Sequence, residues 1–205
     1  MNHYSLSQWK LFFTSLIHLR LSLTTLVVHT GSSEQTEGIL DRDTLKPLLD
    51  LSNLVVLKIY PTTGFDLDNE ALRELSAAWP WLRELELIDS QVGVQPRITL
   101  PGIVRVVLNC PHLEDLAITF DASAVGYLPE SSSDNCNKKL KPLKVGRSPI
   151  KDFVNVAAFL LDLAPNLTTI KMSNDHHPDM IEKWGHVARL LQTFGKRRVP
   201  VVQAL

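Results

Sequence analysis

Apolar residues recur along the chain in one short pattern, L-x-x-L-x-L with other aliphatics allowed. It reads Leu23-x-x-Leu26-x-Val28, Leu54-x-x-Leu57-x-Ile59 and Leu82-x-x-Leu85-x-Leu87. It continues as Leu113-x-x-Leu116-x-Ile118, Leu140-x-x-Leu143-x-Val145 and Leu167-x-x-Ile170-x-Met172. The first anchors fall at 23, 54, 82, 113, 140 and 167, which spaces them 31, 28, 31, 27 and 27 residues apart. Six matches at so even a spacing identify an internal repeat. The first register is the least secure, because Leu16-x-x-Leu19-x-Leu21 fits as well. In the second half of each motif apolar and variable residues alternate, which predicts a strand with one buried face.

The stretches between motifs carry helical spacing. Residues 69–79 place Leu72, Leu75 and Ala78 on one side, with Asp68 or Asn69 as the cap. Residues 99–109 carry Ile103, Val106 and Val107, and residues 152–163 carry Phe153, Val156, Ala157, Leu160 and Leu161. Residues 41–50 carry Leu45, Leu48 and Leu49, but Pro47 limits how regular that helix can be. Helices run into Pro and then a strand-starting Leu at Trp79-Pro80-Trp81-Leu82, Cys110-Pro111-His112-Leu113 and Ala164-Pro165-Asn166-Leu167. Trp9, Phe12, Phe13 and Leu16 predict a capping helix over 6–16. Ile181, Trp184, Val187, Ala188 and Leu191 predict a second over 180–193, with Gly195 as its stop. Residues 122–139 break the pattern around Ser131-Ser132-Ser133-Asp134-Asn135, so the fourth unit is expected to carry a loop in place of a full helix.

Each strand needs a partner for its aliphatic face and each helix one for its stripe; stacking strand–helix units satisfies both. The expected fold is therefore α/β: one domain over 1–205, a short leucine-rich-repeat solenoid or horseshoe with a parallel sheet on the concave side and helices on the convex side. Composition agrees. Leucine supplies 34 of 205 residues. With 21 basic and 22 acidic residues there is no broad basic field, so neither nucleic acid nor an anionic membrane is an expected partner. No charge-free run of about 20 apolar residues predicts a membrane span. Two cysteines are too few for a disulfide framework, which favours a reducing compartment.

The most specific sequence blocks are Leu143-Lys-Val-Gly-Arg-Ser-Pro-Ile150, Val156-Ala-Ala-Phe-Leu160, Ala164-Pro-Asn-Leu167 and Cys110-Pro-His-Leu-Glu-Asp-Leu116. Trp184 and Leu190-Leu191 join them in the closing helix. With these, residues from about 6 to 195 resemble the leucine-rich-repeat region of fungal, basidiomycete-type F-box proteins. The resemblance implies an intracellular protein, cytoplasmic or nuclear, and a non-enzymatic interaction module. In such proteins an N-terminal F-box docks on the adaptor of a cullin–RING ubiquitin ligase, and the repeats hold the substrate. No F-box-like L-P-x-E run precedes the repeats here, so the adaptor is an expected partner only if an F-box lies upstream. An orphan repeat scaffold without a ligase link is the alternative. An enzyme using the 122–139 or 174–179 loop is a third.

Candidate chemistry is sparse. No glycine-rich phosphate loop occurs. Ser148-Pro-Ile-Lys151 lacks the companion motifs of S-x-x-K hydrolases. Asp66, Asp68 and Glu70 lack the turn glycine and late Glu of a calcium loop. Asp175-His176-His177-Pro178-Asp179 is the best metal candidate, but it reads more simply as a polar connection. Cys110 reads as a small core residue, Cys136 as a loop thiol, Lys196-Arg197-Arg198 as charge at a helix end, and Asn166-Leu167-Thr168 as a chance sequon. No catalytic residue, metal or cofactor is assigned.

Strand alternation puts the variable positions on the concave face in three columns. One holds Thr25, Val56, Glu84, Asp115, Pro142 and Thr169; the next Val27, Lys58, Glu86, Ala117, Lys144 and Lys171; the third His29, Tyr60, Ile88, Thr119, Gly146 and Ser173. Glu84, Glu86 and Asp115 are expected to cluster, flanked by Lys58 on one side and Lys144 and Lys171 on the other. A protein segment is the expected occupant: the acidic centre takes a basic residue, and Tyr60 and Ile88 give apolar contact. Reversing Glu84 and Glu86 to Lys is expected to weaken its capture without unfolding the chain.

Overall fold

The computed structural model describes residues 6–29, 38–88, 95–125, 136–172 and 178–195. Six strands form one parallel sheet: β1 (Thr25–His29), β3 (Val56–Tyr60), β5 (Glu84–Leu87), β6 (Asp115–Ile118), β7 (Pro142–Lys144) and β8 (Thr169–Lys171). They lie side by side in chain order. A second, two-stranded parallel pair joins β2 (Leu40–Asp41) to β4 (Phe65–Asp66). Parallel bridges Asp68 to Arg97, Thr99 to Asp121 and Ala122 to Ile150 occur further along the chain.

Register is fixed by the repeat. Leu26, Leu57, Leu85, Leu116, Leu143 and Ile170 stand opposite one another across all six strands. All six are buried. A slip of one residue would turn this aliphatic row to water, so burial alone enforces the pairing. The strand at Thr25–His29 settles the first register on Leu23; Leu21 of the competing one is 84% exposed.

The helices are α1 (Leu6–Ser15), α2 (Arg42–Leu45), α3 (Asn69–Ala78), α4 (Leu100–Asn109), α5 (Phe153–Leu163) and α6 (Pro178–Gly195). Asp68 caps α3 by accepting from the Ala71 amide, and Asp152 caps α5 by accepting from the Asn155 amide. The helix expected over 41–50 is a single α turn that runs into a 3-10 helix at Lys46–Asp50. Pro47, lacking an amide donor, sits at its first turn. The closing helix starts at Pro178, two residues earlier than expected, because proline fits a first turn. Between β6 and β7 no helix occurs among the described residues; residues 126–135 of the expected loop lie outside them.

The junction before four of the six strands of the large sheet repeats one geometry. The amides of Leu54, Leu82, Leu113 and Leu167 each donate to the carbonyl three residues back. One residue on, the amides of Val55, Arg83, Glu114, Lys141 and Thr168 donate to Thr24, Val55, Arg83, Glu114 and Lys141 respectively. This chain of bonds links every unit to the one before it. Buried side chains add a second link. Trp79 Nε1 donates to the Leu48 carbonyl, Cys110 Sγ to that of Trp79, and Asn137 Nδ2 to that of Cys110.

Candidate interaction face

The sheet face away from the aliphatic row carries the variable columns. The middle one is complete across the sheet: Val27, Lys58, Glu86, Ala117, Lys144 and Lys171 are successive register partners. Glu84 pairs with Asp115 in the first column and His29 with Tyr60 in the third. Ile88 and Gly146 approach each other beside Thr119: a Cβ built on Gly146 would lie 3.7 Å from Ile88 Cγ2. Gly146 has φ of +52°, a left-handed conformation that suits glycine.

Glu86 is the centre of the charges and is buried. Lys58 Nζ lies 3.0 Å from Glu86 Oε1 and 2.6 Å from Glu84 Oε2. Lys144 Nζ donates to Glu86 Oε1 at 2.8 Å and lies 3.6 Å from Asp115 Oδ2. Tyr60 donates its hydroxyl to Glu86 Oε2 at 2.8 Å, and its ring stacks on His29 at 4.4 Å. Lys144 reaches Glu86 from two strands away because Ala117, between them, ends at its β-carbon.

The network shifts its own titrations. Burial by itself would push the Glu86 carboxyl up, but hydrogen bonds from Lys144, Lys58 and Tyr60 outweigh it and hold the group down at about 2. Glu84 and Glu86 raise the Lys58 ammonium above its ordinary value. Burial and the Glu86 hydrogen bond push the Tyr60 phenol up to about 12.

The expected cluster of Glu84, Glu86 and Asp115 thus sits together with Lys58, Tyr60 and Lys144. The lysines, however, fold over the acids instead of flanking an open acidic centre. Lys171 lies at the edge, exposed and next to Lys144 in register. Periodicity could place these columns but not foresee the bond from Tyr60 or the crossing by Lys144. The small residue at Ala117 was the available signal. Reversing Glu86 would set a third ammonium between two others in a buried position, so the expectation that it leaves the fold intact is replaced by the opposite one.

Arg97 bonds Asp66 and Asp68, and Glu70 pairs with Arg73. Ser148 is fully buried and its hydroxyl accepts from the Phe120 amide. Burial pushes the Cys110 thiol up to about 12. Cys136 is half-buried. Asn166 bonds the Lys138 carbonyl, and Leu167 is buried. Residues 173–177, with His176 and His177, and residues 196–198 lie outside the described residues. Among the described residues no group of three or more His, Cys, Asp or Glu is placed to hold a metal. Nor is any helix there long and apolar enough to cross a membrane.

No family model matches the chain. No curated protein matches it. Among solved structures a similar chain is that of leiomodin-1 actin-binding site 2. It is 11% identical, with a TM-score of 0.40 over 96% of this chain and 95% of that one.

Proposed function

We propose that this chain is a short leucine-rich-repeat solenoid acting as a non-enzymatic protein-interaction module, with the sheet on its concave side. In this reading it resembles the substrate-holding repeats of F-box ubiquitin-ligase receptors. The observation that carries the reading is the recurrence of one unit. The aliphatic row crosses six strands, and the same amide-to-carbonyl link joins each unit to the next. Such an arrangement spends the helix-side face on the core and leaves the other face for a ligand. On that face Lys58, Glu84, Glu86, Asp115 and Lys144 form a pre-ordered polar patch, and Tyr60, Ile88 and Lys171 lie around it. Pre-ordered polar groups favour specific recognition over raw affinity. The partner is a protein segment laid across the strands.

The test is affinity capture with mass spectrometry, comparing the wild-type chain with a Glu84→Lys, Lys171→Glu double variant. Glu84 is 39% exposed at its side chain; the change breaks its ion pair with Lys58 and leaves Glu86 its bonds from Lys144 and Tyr60. Partners lost from the variant, with melting unchanged, support the face. Identical captures reject it. Recovery of a cullin–RING adaptor with the chain supports the ligase link, and its absence favours a scaffold without one.

A further inference from the structure

The strands begin on a rim that the interaction face does not use. Two positions per unit define it, one on each side of the first leucine anchor. The outer position holds Asn53, Trp81, His112, Lys139 and Asn166 in successive units, and the inner one Val55, Arg83, Glu114, Lys141 and Thr168. Trp81 is 58% exposed, whereas Trp9, Trp79 and Trp184 are buried. Its ring stacks on His112 with centroids 5.5 Å apart and planes within 5°. Lys139 Nζ lies 2.8 Å from His112 Nδ1, which fixes the far side of that pair. On the near side Trp81 walls a surface groove shared with Leu21, Asn53, Val55, Arg83 and His112. Asn53 donates to the Leu21 carbonyl and so ties the opposite wall in place.

Charge marks the rim as well. These ten positions carry three cations, Arg83, Lys139 and Lys141, and one acid, Glu114, which lies 3.8 Å from Arg83. The chain as a whole carries a formal charge of -1. An apolar slot beside a cationic run is complementary to an apolar side chain followed by carboxylates. Strand starts lie roughly 4.8 Å apart and an extended peptide advances about 3.3 Å per residue. From the slot at Trp81 to Lys139 is two strand spacings, or about three residues of such a peptide.

We propose that this rim groove is a second protein-binding site, taking an extended acidic segment. A bulky apolar side chain of that segment inserts between Leu21 and Trp81, and a carboxylate about three residues later meets Lys139 and Lys141. A single-stranded nucleic acid fits less well. One face of Trp81 is already covered by His112, the opposite wall offers aliphatic groups and no second ring, and Glu114 interrupts the path a phosphate chain would follow.

The test uses a fluorescein-labelled peptide Ser-Gly-Phe-Ser-Gly-Glu-Asp-Glu read by anisotropy, with unlabelled peptide read by tryptophan emission. Binding should shift emission to the blue and shield the exposed indole from acrylamide. Trp81→Ala and Arg83→Gln should each weaken the peptide at least fivefold with melting unchanged. The Glu84→Lys, Lys171→Glu variant should bind it like wild type, which separates this site from the sheet face. No binding, equal binding of a Phe→Ser control, or tighter Trp81-dependent binding of oligouridine would each overturn the proposal.

Discussion

Glu86 concentrates the residue-scale energetics. Its ordinary value of 4.5 falls to about 2 in the folded chain, so folding favours the ionised form. That contribution is complete above pH 4.5 and fades as pH drops toward 2. It amounts to on the order of 3 kcal/mol. Urea midpoints at pH 7 and pH 3 should therefore differ more for wild type than for Glu86→Gln. Glu86→Lys leaves Lys58 and Lys144 facing a third cation and should lose about 3–5 kcal/mol by the same measurement. Tyr60 has the opposite sense. Its phenol is raised from 10.0 to about 12 and stays protonated in the folded state after the unfolded state has ionised. Alkali above about pH 10 should therefore destabilise the fold through this group. A wild-type minus Tyr60→Phe absorbance titration near 295 nm should show a midpoint close to 12. The columns that hold these residues were legible from alternation. The bonds among them were not, because they depend on side-chain reach across strands, which no period encodes.

Among the elements, the junctions before the strands hold more than their sequence announced. Proline and leucine marked where helices stop and strands start, and Asp68 was one of two caps offered for α3, whereas the Asp152 cap of α5 was not read. The side-chain donors three residues before Leu82, Leu113 and Leu140 escaped notice, since Trp79, Cys110 and Asn137 share no chemical class. Each nevertheless satisfies a carbonyl of the preceding unit. Asn137 is buried, donates to the Cys110 carbonyl and accepts from the Lys139 and Leu140 amides. Asn137→Ala should cost about 2–4 kcal/mol in urea unfolding, because it strands buried backbone groups. Asp152→Ala, at an exposed cap, should lower the urea midpoint by less than Asn137→Ala does. The helix over 41–50 keeps nearly its expected length but changes from α to 3-10 winding at Lys46–Asp50. Its apolar spacing was real, but Pro47 governed the backbone.

For the molecule as a whole, stability is spread along a row of similar units. Each unit contacts mainly its neighbours, so a defect is felt most where it has neighbours on both sides. Leu116 lies in β6 with strands on either side and is fully buried; Ile170 lies in the edge strand β8 at 9% exposure. Leu116→Ala should lose about 3–5 kcal/mol and Ile170→Ala measurably less, by denaturant midpoint. The order and register of the strands were readable from six evenly spaced anchors. The break expected over 122–139 was readable only as an interruption of the pattern, and residues 126–135 of it lie outside the described residues.

Ala117 has a consequence out of proportion to its size. Its missing bulk opens a passage through which Lys144 spans one strand to grip another, so β5, β6 and β7 are clasped by a single ammonium group. Filling that passage, as Ala117→Leu would, evicts the clasp and leaves the Glu86 carboxylate with one cation in place of two. A residue with almost no side chain thereby governs whether three neighbouring strands share one electrostatic lock.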